Sequence, residues 1–473
     1  MLLHVARVIF ILLEVLILFN LLIVVHELGH FLAARWRGLY VERFGVWFGK
    51  PLWKKKINGV QYSLGSLPFG GFVALPQLAP MDIIEGKADV DRARLPKISA
   101  LDKIIVAVAG PFFSLLLAIC FAAIVWAVGH PVSEADSTTV IGYVAPDSPA
   151  QKAGLQPGDK ILAVDGKPVR RFLGMNDSVS WDVVRSEGEK IAVKFQRDDN
   201  VQTVWVEPYK AETRGWRRKS VRQLLVYPAE TPIIAKVEAN TPAAAAGLRA
   251  GDIIRGFDKT PIYNPVALLE YINKHPDNQL VLHIERGGAK LDIPVKPTPL
   301  PTGDQMKPRI GIEWDTAGIV SIQHPSPVEQ VYNSVASTLK TIGAVASPKS
   351  DVKLQHLSGP VGIWNIYLRL FEAQGGWKLA LWFSVILNVN LAILNMLPIP
   401  VLDGGHIVLA LIESIRRKPV NIRVLEVVQT TCAVVIIGYM VYITFFDVQD
   451  LPFVRKKLDQ FEAQSSTKNS QTP

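Results

Sequence analysis

Four long apolar runs interrupt an otherwise mixed pattern of polar and apolar positions, at about 6–34, 104–129, 377–397 and 424–446. Each run reaches the length of about 20 residues that a helix needs to cross a bilayer. The first run follows Arg7 as in a signal peptide, but it is long, lacks a small-residue cleavage site and continues into a polar motif. We interpret it as a retained membrane helix. The pattern predicts a polytopic α-helical membrane protein with four transmembrane helices.

The basic residues predict the orientation. Many lie between the first two runs: Arg35, Arg37, Arg43, Lys50, Lys54, Lys55, Lys56, Lys87, Arg92, Arg94, Lys97 and Lys103. Others lie between the last two: Arg416, Arg417, Lys418 and Arg423. Loops rich in Lys and Arg stay in the cytoplasm, so both termini and residues 130–376 are expected on the other side.

Composition agrees with a membrane class, since 49% of residues are hydrophobic and the mean hydropathy is +0.23. The net charge of +9 is explained by the cytoplasmic loops, so we expect no nucleic-acid partner. The two cysteines, Cys120 and Cys432, lie in apolar stretches. They predict neither a disulfide framework nor a cysteine metal cluster.

The first run contains ionisable side chains within "VVHELGHFLAARW", residues 24–36. On a helix, His26 and His30 lie one turn apart on the same face and can bind one zinc ion, while Glu27 can take a proton from the water on that zinc. Without a metal, such groups in a membrane helix would each cost several kcal/mol. Glu14 and Asn20 in the same run are expected to form hydrogen bonds to a neighbouring helix.

A third zinc ligand is expected in "LNMLPIPVLDGGH", residues 394–406. Pro398 and Pro400 end the third membrane helix, and the glycines that follow form a flexible turn. This places Asp403 near the cytoplasmic face, at a depth similar to that of His30. His406 is a competing ligand, but we favour Asp403, and Asn395 could donate a hydrogen bond to a developing oxyanion.

Together, HELGH in the first run and NxxPxPxLDGG in the third resemble the site-2 protease family of intramembrane zinc metalloproteases. The likeness extends over nearly the whole chain, including "LSGPVGI" at 357–363. It implies one Zn²⁺ per chain held by His26, His30 and Asp403, with Glu27 as catalytic base, and Asn395 and Asn390 holding the substrate or the oxyanion. Where asparagine is expected after Gly110-Pro111, the chain has Ser114.

The resemblance also implies a zinc endopeptidase that cuts single-span membrane proteins after they have been shortened outside the cytoplasm. An anti-sigma factor of an envelope stress response is the expected substrate, with signal-peptide remnants as a further class. The expected location is the bacterial inner membrane, with both termini periplasmic and the active site near the cytoplasmic face. Two alternatives stay open: a membrane scaffold with a vestigial metal site, and a membrane-anchored zinc peptidase that cuts in water.

Asn58-Gly59 predicts a β-hairpin in the cytoplasmic loop. The resemblance implies that the hairpin dips into the bilayer beside the zinc and holds the substrate as an extended strand, a role assigned to about 60–75. The candidate substrate-binding residues there are Tyr62, Leu64, Gly65, Ser66, Gly70 and Gly71. The alternative is a small sheet that only packs against the membrane face.

Residues 148–161, "SPAQKAGLQPGDKI", and 241–254, "TPAAAAGLRAGDII", align without gaps at an offset of 93. The duplication resembles two extracytoplasmic α+β PDZ domains, at 131–227 and 228–303. PDZ domains usually bind the C-terminus of a peptide along a sheet edge. The alternative for this chain is that the two domains bind no peptide and only keep bulky substrates away from the active site.

Helical spacing of apolar residues predicts an amphipathic helix on the outer membrane surface within 325–350. The predicted segments are a first membrane helix at 1–35, a cytoplasmic loop at 36–103 and a second membrane helix at 104–129. After the PDZ domains follow a linker with the surface helix at 304–376, the third membrane helix with the LDG motif at 377–410, the fourth at 424–447 and a disordered tail at 454–473.

Overall fold

The computed structural model describes residues 2–78, 95–96, 98–213, 215–302, 305–315, 318–418 and 420–456. The chain forms two compact units. One contains Met1–His130, His324–Lys340 and Leu354–Pro473, and the other contains Pro131–Gln323 and Thr341–Lys353. The predicted disordered tail lies, from residue 457 onwards, outside the described residues.

Among its described residues, the first unit has four helices with stretches long and apolar enough to cross a membrane: α1 (Leu2–Trp36), α2 (Ala100–Val128), α10 (Gly376–Asn395) and α12 (Ile422–Gln449). Helix α2 begins with a capping box formed by Ser99 and Asp102. Helix α1 packs against α2 so closely that a Cβ at Gly29 would lie 2.4 Å from the Ala109 carbonyl oxygen. The predicted set of four membrane helices is confirmed by length and composition.

Three further helices belong to this unit in whole or in part: α8 (Pro327–Ala346), α9 (Pro360–Glu372) and α11 (Asp403–Arg416). Helix α8 is the predicted amphipathic helix, and its Gln330 side chain donates to the Ala122 carbonyl of α2. Its position on the membrane surface stays a prediction. Helix α9 was not predicted, because "LSGPVGI" contains two glycines and a proline. In the structure the Asp447 carboxylate caps its first turn by accepting from the N–H groups of Gly359 and Gly362.

A four-stranded sheet follows α1. Its strands are β1 (Arg43–Phe48), β2 (Trp53–Ile57), β3 (Val60–Leu64) and β4 (Leu67–Ala74), in the order β2-β3-β1-β4. Strands β2 and β3 form the predicted hairpin, and Asn58 and Gly59 both have positive φ, at 49° and 84°, as a type I′ turn requires. All five residues of β2, including Lys54, Lys55 and Lys56, are exposed.

The chain between α10 and α11 is not helical, as its two prolines predict. Helix α11 returns against this segment at very short range. A Cβ at Gly404 would lie 2.3 Å from the Met396 carbonyl oxygen, and one at Gly405 would lie 2.1 Å from that of Ile399. The two glycines therefore serve close packing, which fixes Asp403 as the first residue of α11.

The second unit contains two α+β halves. The first half comprises β6 (Ile141–Val144), α4 (Pro149–Lys152), β7 (Lys160–Val164), β8 (Lys167–Pro168), α5 (Val179–Val184), β9 (Ile191–Arg197), β10 (Asn200–Val206) and β11 (Val226–Pro228). The second comprises β12 (Ile234–Val237), α6 (Pro242–Ala245), β13 (Ile253–Phe257), β14 (Thr260–Pro261), α7 (Pro265–Lys274), β15 (Leu280–Arg286), β16 (Ala289–Val295), β17 (Thr298–Thr302), β18 (Gln305–Arg309) and β19 (Ile312–Trp314). Strands β5 (His130–Ser133) and β20 (Val320–Gln323) pair with each other, and α3 (Glu134–Ser137) follows β5.

The two halves repeat one order of elements, and each has its own buried apolar core. The second half continues past the predicted end at 303, because β19 pairs with β12 and Ile310 belongs to the core. A three-residue strand after a hairpin gives too short a pattern to be recognised in the sequence.

The Gly-Asp step of the repeated motif has the same structural role in both halves. Asp159 forms a two-point ion pair with Arg197, at 2.6 and 2.7 Å. Asp252 pairs in the same way with Arg286, also at 2.6 and 2.7 Å. Each aspartate is only 1% exposed and also accepts from a backbone N–H of the preceding turn. The carboxylate therefore fixes the turn to the strand that carries the arginine.

We expect Asp252→Asn to destabilise the second half by about 1–2 kcal/mol, because it removes the buried negative charge that pairs with the partly exposed Arg286 guanidinium. Burial alone would raise the pKa of Asp252, but the hydrogen bonds from Arg286 outweigh it and lower this pKa. The pair therefore stabilises the fold above about pH 4 and loses its effect as the pH falls through the lowered pKa. Hydrogen exchange of the β13 and β15 amides in the full chain measures the loss. Asp159→Asn is the matched control, and it should loosen β7 and β9 while β13 stays protected.

Candidate metal centre

Helix α1 carries both histidines of the HELGH motif. Four residues separate His26 and His30, so they project from one face one turn apart. Both side chains are buried, with 6% and 9% of their surface exposed. Asp403 faces them from the start of α11, and these three residues form the one group of metal-binding character among the described residues. His406, the competing candidate, is not part of it.

Each ring is held through its Nδ1 atom. His30 Nδ1 lies 2.8 Å from the Val106 carbonyl oxygen in α2. Because a carbonyl can only accept, His30 Nδ1 carries the hydrogen and Nε2 presents a lone pair. His26 Nδ1 lies 2.9 Å from the Ser114 hydroxyl, also in α2. Hydrogen bonds of this kind orient metal-binding histidines.

The donor atoms converge on one point. His26 Nε2 and His30 Nε2 are 3.3 Å apart, and each lies 3.3 Å from an oxygen of Asp403. A tetrahedral zinc ion with ligands at about 2.0–2.1 Å holds them about 3.3–3.4 Å apart. Lone pairs and a carboxylate this close repel one another unless a proton or a metal cation lies among them. The donor set and its spacing therefore fit a zinc ion.

Helix α2 leaves space for these rings only at a glycine. A Cβ at Gly110 would lie 2.2 Å from His30 Nε2 and 2.8 Å from His26 Nε2. Any side chain there would enter the space where the donor atoms meet. Gly110 is therefore required by the metal centre, in addition to any effect on the helix itself.

Glu27 and Asn395 border the three donors. The Val73 backbone N–H, in β4, faces the Glu27 carboxylate. A Cβ at Gly71 of the same strand would lie 3.4 Å from Glu27 Cγ, so this glycine brings β4 close to the carboxylate. Asn395 Nδ2 lies 3.2 Å from His26 Nε2. The Glu27 carboxylate and the Asn395 amide group thus lie beside the three candidate metal ligands.

The other predicted substrate-binding residues lie further from the donors or on other strands. The side-chain amide oxygen of Asn390 accepts a hydrogen bond from the Thr338 hydroxyl, so the Asn390 side chain faces α8. Gly65 and Ser66 connect β3 to β4. Tyr62 and Leu64 lie on β3, between β2 and β1. A strand paired on both sides cannot accept a substrate strand, so the edge role predicted for 60–75 fits only β4, which carries Gly70 and Gly71.

Four residues of this chain were not predicted to be partners of the site: Val106, Gly110, Ser114 and Val73. Two act through backbone groups and one through the absence of a side chain, which leaves little signal in a single sequence. Ser114 was noticed only as a departure from the family pattern. Its small hydroxyl nevertheless reaches His26 Nδ1.

The profile of peptidase family M50 matches residues 14–439, most of the chain. This chain belongs to peptidase family M50. A protein of Neisseria meningitidis serogroup A, provisionally named a zinc metalloprotease, is 31% identical over 424 residues, which cover 85% of this chain and 91% of the relative. The regulator of sigma-E protease RseP of Escherichia coli K12 is 30% identical over 434 residues, covering 86% and 91%. RseP of Salmonella typhimurium is 28% identical over 445 residues, with the same coverage.

Membership in family M50 confirms the resemblance inferred from the two motifs and the assignment as a zinc metallopeptidase of the site-2 type. Among solved structures, the PDZ domain of an SdrC-like protein from Listeria monocytogenes covers 18% of this chain and 87% of its own length, at 22% identity and a TM-score of 0.17. The assignment of two PDZ domains to the α+β halves stays a prediction.

Proposed function

We propose that this M50 peptidase is an intramembrane zinc endopeptidase that cuts the membrane segments of single-span proteins. The observation that supports this most strongly is the cluster of His26, His30 and Asp403, in which the two Nε2 atoms lie 3.3 Å apart and each lies 3.3 Å from a different oxygen of Asp403. Both histidines are on α1, which is long and apolar enough to cross a membrane. The Glu27 carboxylate and the Asn395 amide beside this cluster supply the groups that peptide hydrolysis requires.

Each side chain has a distinct role in this proposal. His26, His30 and Asp403 would hold one zinc ion, which would supply Lewis acidity toward water and toward the substrate carbonyl group. The Glu27 carboxylate takes a proton from the attacking water and delivers it to the leaving amide nitrogen as the C–N bond breaks. Asn395 Nδ2 donates to the oxygen that becomes negative when the carbonyl is attacked.

Strand β4 is the proposed substrate platform. It lies at the edge of the sheet and its Val73 N–H reaches Glu27. A helical substrate shields its own amide bonds in intrahelical hydrogen bonds, so it must become extended before cleavage. In the described part of the chain the outer edge of β4 has no partner strand, so it can bind the extended chain by strand addition.

The relatives named regulator of sigma-E protease support an anti-sigma factor as the substrate class, cut after its extracytoplasmic part has been shortened. Signal-peptide remnants are a second class with the same single-span architecture. The proposed location is the bacterial inner membrane, with the α+β halves and both termini periplasmic and the zinc near the cytoplasmic face. The α+β halves either bind peptide C-termini or exclude bulky substrates.

The test is a cleavage assay of a single-span substrate in two forms, with and without its extracytoplasmic domain. We expect cleavage of the shortened form only, and we expect a chelator to stop it. Mass spectrometry of the products locates the cut. Cleavage outside the membrane segment would favour a peptidase that works in water, and chelator-insensitive binding without cleavage would favour a scaffold.

A further inference from the structure

Among the described residues, the Asn20 side chain forms hydrogen bonds with the sheet and with its own helix, whereas its position in α1 predicts a partner on a neighbouring helix. Asn20 lies six residues before His26, about 9 Å along the helix axis, and only 9% of its surface is exposed. Its side chain bonds to the sheet instead. The amide oxygen accepts from Trp47 Nε1 at 2.7 Å, and Nδ2 donates to the Pro68 carbonyl at 3.2 Å and to Leu16 of its own helix at 2.8 Å.

Trp47 reaches Asn20 because of a bulge. The register of the β1–β4 pairing shifts here, because Val46 pairs with Gly71 and Phe48 pairs with Leu67, which leaves out Trp47 on β1 and the three residues 68–70 on β4. Trp47 has a φ of +68°, which is rare and strained for a bulky residue. Bulges of this kind redirect a side chain, and strained backbone persists where the surroundings hold it.

The contacts connect Asn20 to the metal centre through β4. Pro68, near the beginning of β4, is held by Asn20, while Gly71 and Val73 lie against Glu27. Helix α1 therefore contacts β4 at two levels separated by seven residues of the helix, about 10 Å. Two attachment points fix the position of the strand along α1, whereas the Glu27 contact alone would allow it to slide.

We propose that Asn20 and Trp47 are positioning residues that set the register of β4 beside Glu27, and thereby determine which substrate bond is cut. The inference rests on the proposed function, in which an extended substrate pairs with the β4 edge. A substrate strand adopts the register of the strand it joins. A shift of β4 along α1 would therefore bring a different bond to the metal centre.

The experiment maps the cleaved bond by mass spectrometry in Asn20→Leu and Trp47→Phe. We expect unchanged zinc content, a fall in kcat/KM of about 10²-fold, and cuts spread over neighbouring bonds. Asn388→Leu is the matched control, because Asn388 is also a buried asparagine in a membrane helix but donates within its own helix. It should leave the cleaved bond unchanged. Cleavage at the single wild-type bond in both anchor variants, whatever its rate, would overturn the proposal.

A second measurement does not depend on activity. A Cβ at Gly71 would lie 3.5 Å from Ile23 Cγ2, so Ile23→Cys with Gly71→Cys reports the position of β4. In a chain with Cys120 and Cys432 replaced by alanine, oxidation should link this pair, and Asn20→Leu should abolish the link or move it to a neighbouring residue of β4. An unchanged link contradicts the anchor. If the cysteine pair forms the link in a chain that keeps Asn20 and Trp47, but the wild-type chain cuts no substrate, the proposed function is contradicted instead.

Discussion

Replacing Glu27 with glutamine is expected to lower the rate of substrate cleavage by about 10³-fold, within the range attributed to general acid–base catalysis. Glutamine has nearly the same shape, but its amide cannot take a proton from water. It also keeps an oxygen that can accept from the Val73 N–H, so β4 should stay in place. The measurement is a single-turnover cleavage assay combined with metal analysis, and zinc content should stay at one per chain.

Glu14→Gln is the matched control for this variant. Glu14 lies on the same helix α1, thirteen residues or about 20 Å before Glu27, and the same atoms change. Its cleavage rate should stay within about twofold of wild type. If Glu27→Gln retained full activity with zinc bound, the proton would have to be moved by another group, and the proposed mechanism would be wrong.

Replacing Asp403 with asparagine is expected to remove both zinc and activity. The amide is a neutral and weak ligand, and it cannot balance the positive charge of the ion next to two neutral imidazoles. We expect zinc content to fall below about one tenth per chain after dialysis, with cleavage below detection. Metal analysis and the same cleavage assay measure the two effects separately.

Glu413→Gln separates the loss of a ligand from a loosening of α11. Glu413 lies on α11 and forms an ion pair with Lys103 of α2, at 2.6 Å. The variant loses that attachment but keeps every zinc donor, so its zinc content should stay near one per chain. Equal zinc loss in both variants would show that the position of α11, and not the Asp403 carboxylate itself, decides metal binding.

Sequence patterns predicted the parts of the fold that depend on local physical chemistry. The four spans follow from length and hydropathy, and the β2–β3 turn follows from Asn58-Gly59, whose residues adopt the positive φ that the turn demands. Two histidines at helical spacing predicted one face of a metal centre. Asp403 followed from the ending of α10 at the prolines.

Other features depend on contacts between distant segments and could not be predicted. The edge position of β4 results from β1 inserting between β3 and β4, an order that the hairpin signal does not contain. Asn20 was expected to meet another helix, because nothing in its neighbourhood indicates that a bulge would bring Trp47 to it. The close approach of α2 at Gly110 likewise depends on how two helices cross.

The three consecutive lysines of β2 have a consequence for assembly. They lie on the edge strand opposite β4, and all three side chains are exposed. Several positive charges on an edge strand oppose the pairing of that strand with a strand of another chain. Strand addition at β2 is therefore opposed, and molecules of this protease are protected from joining one another into continuous ribbons through that strand.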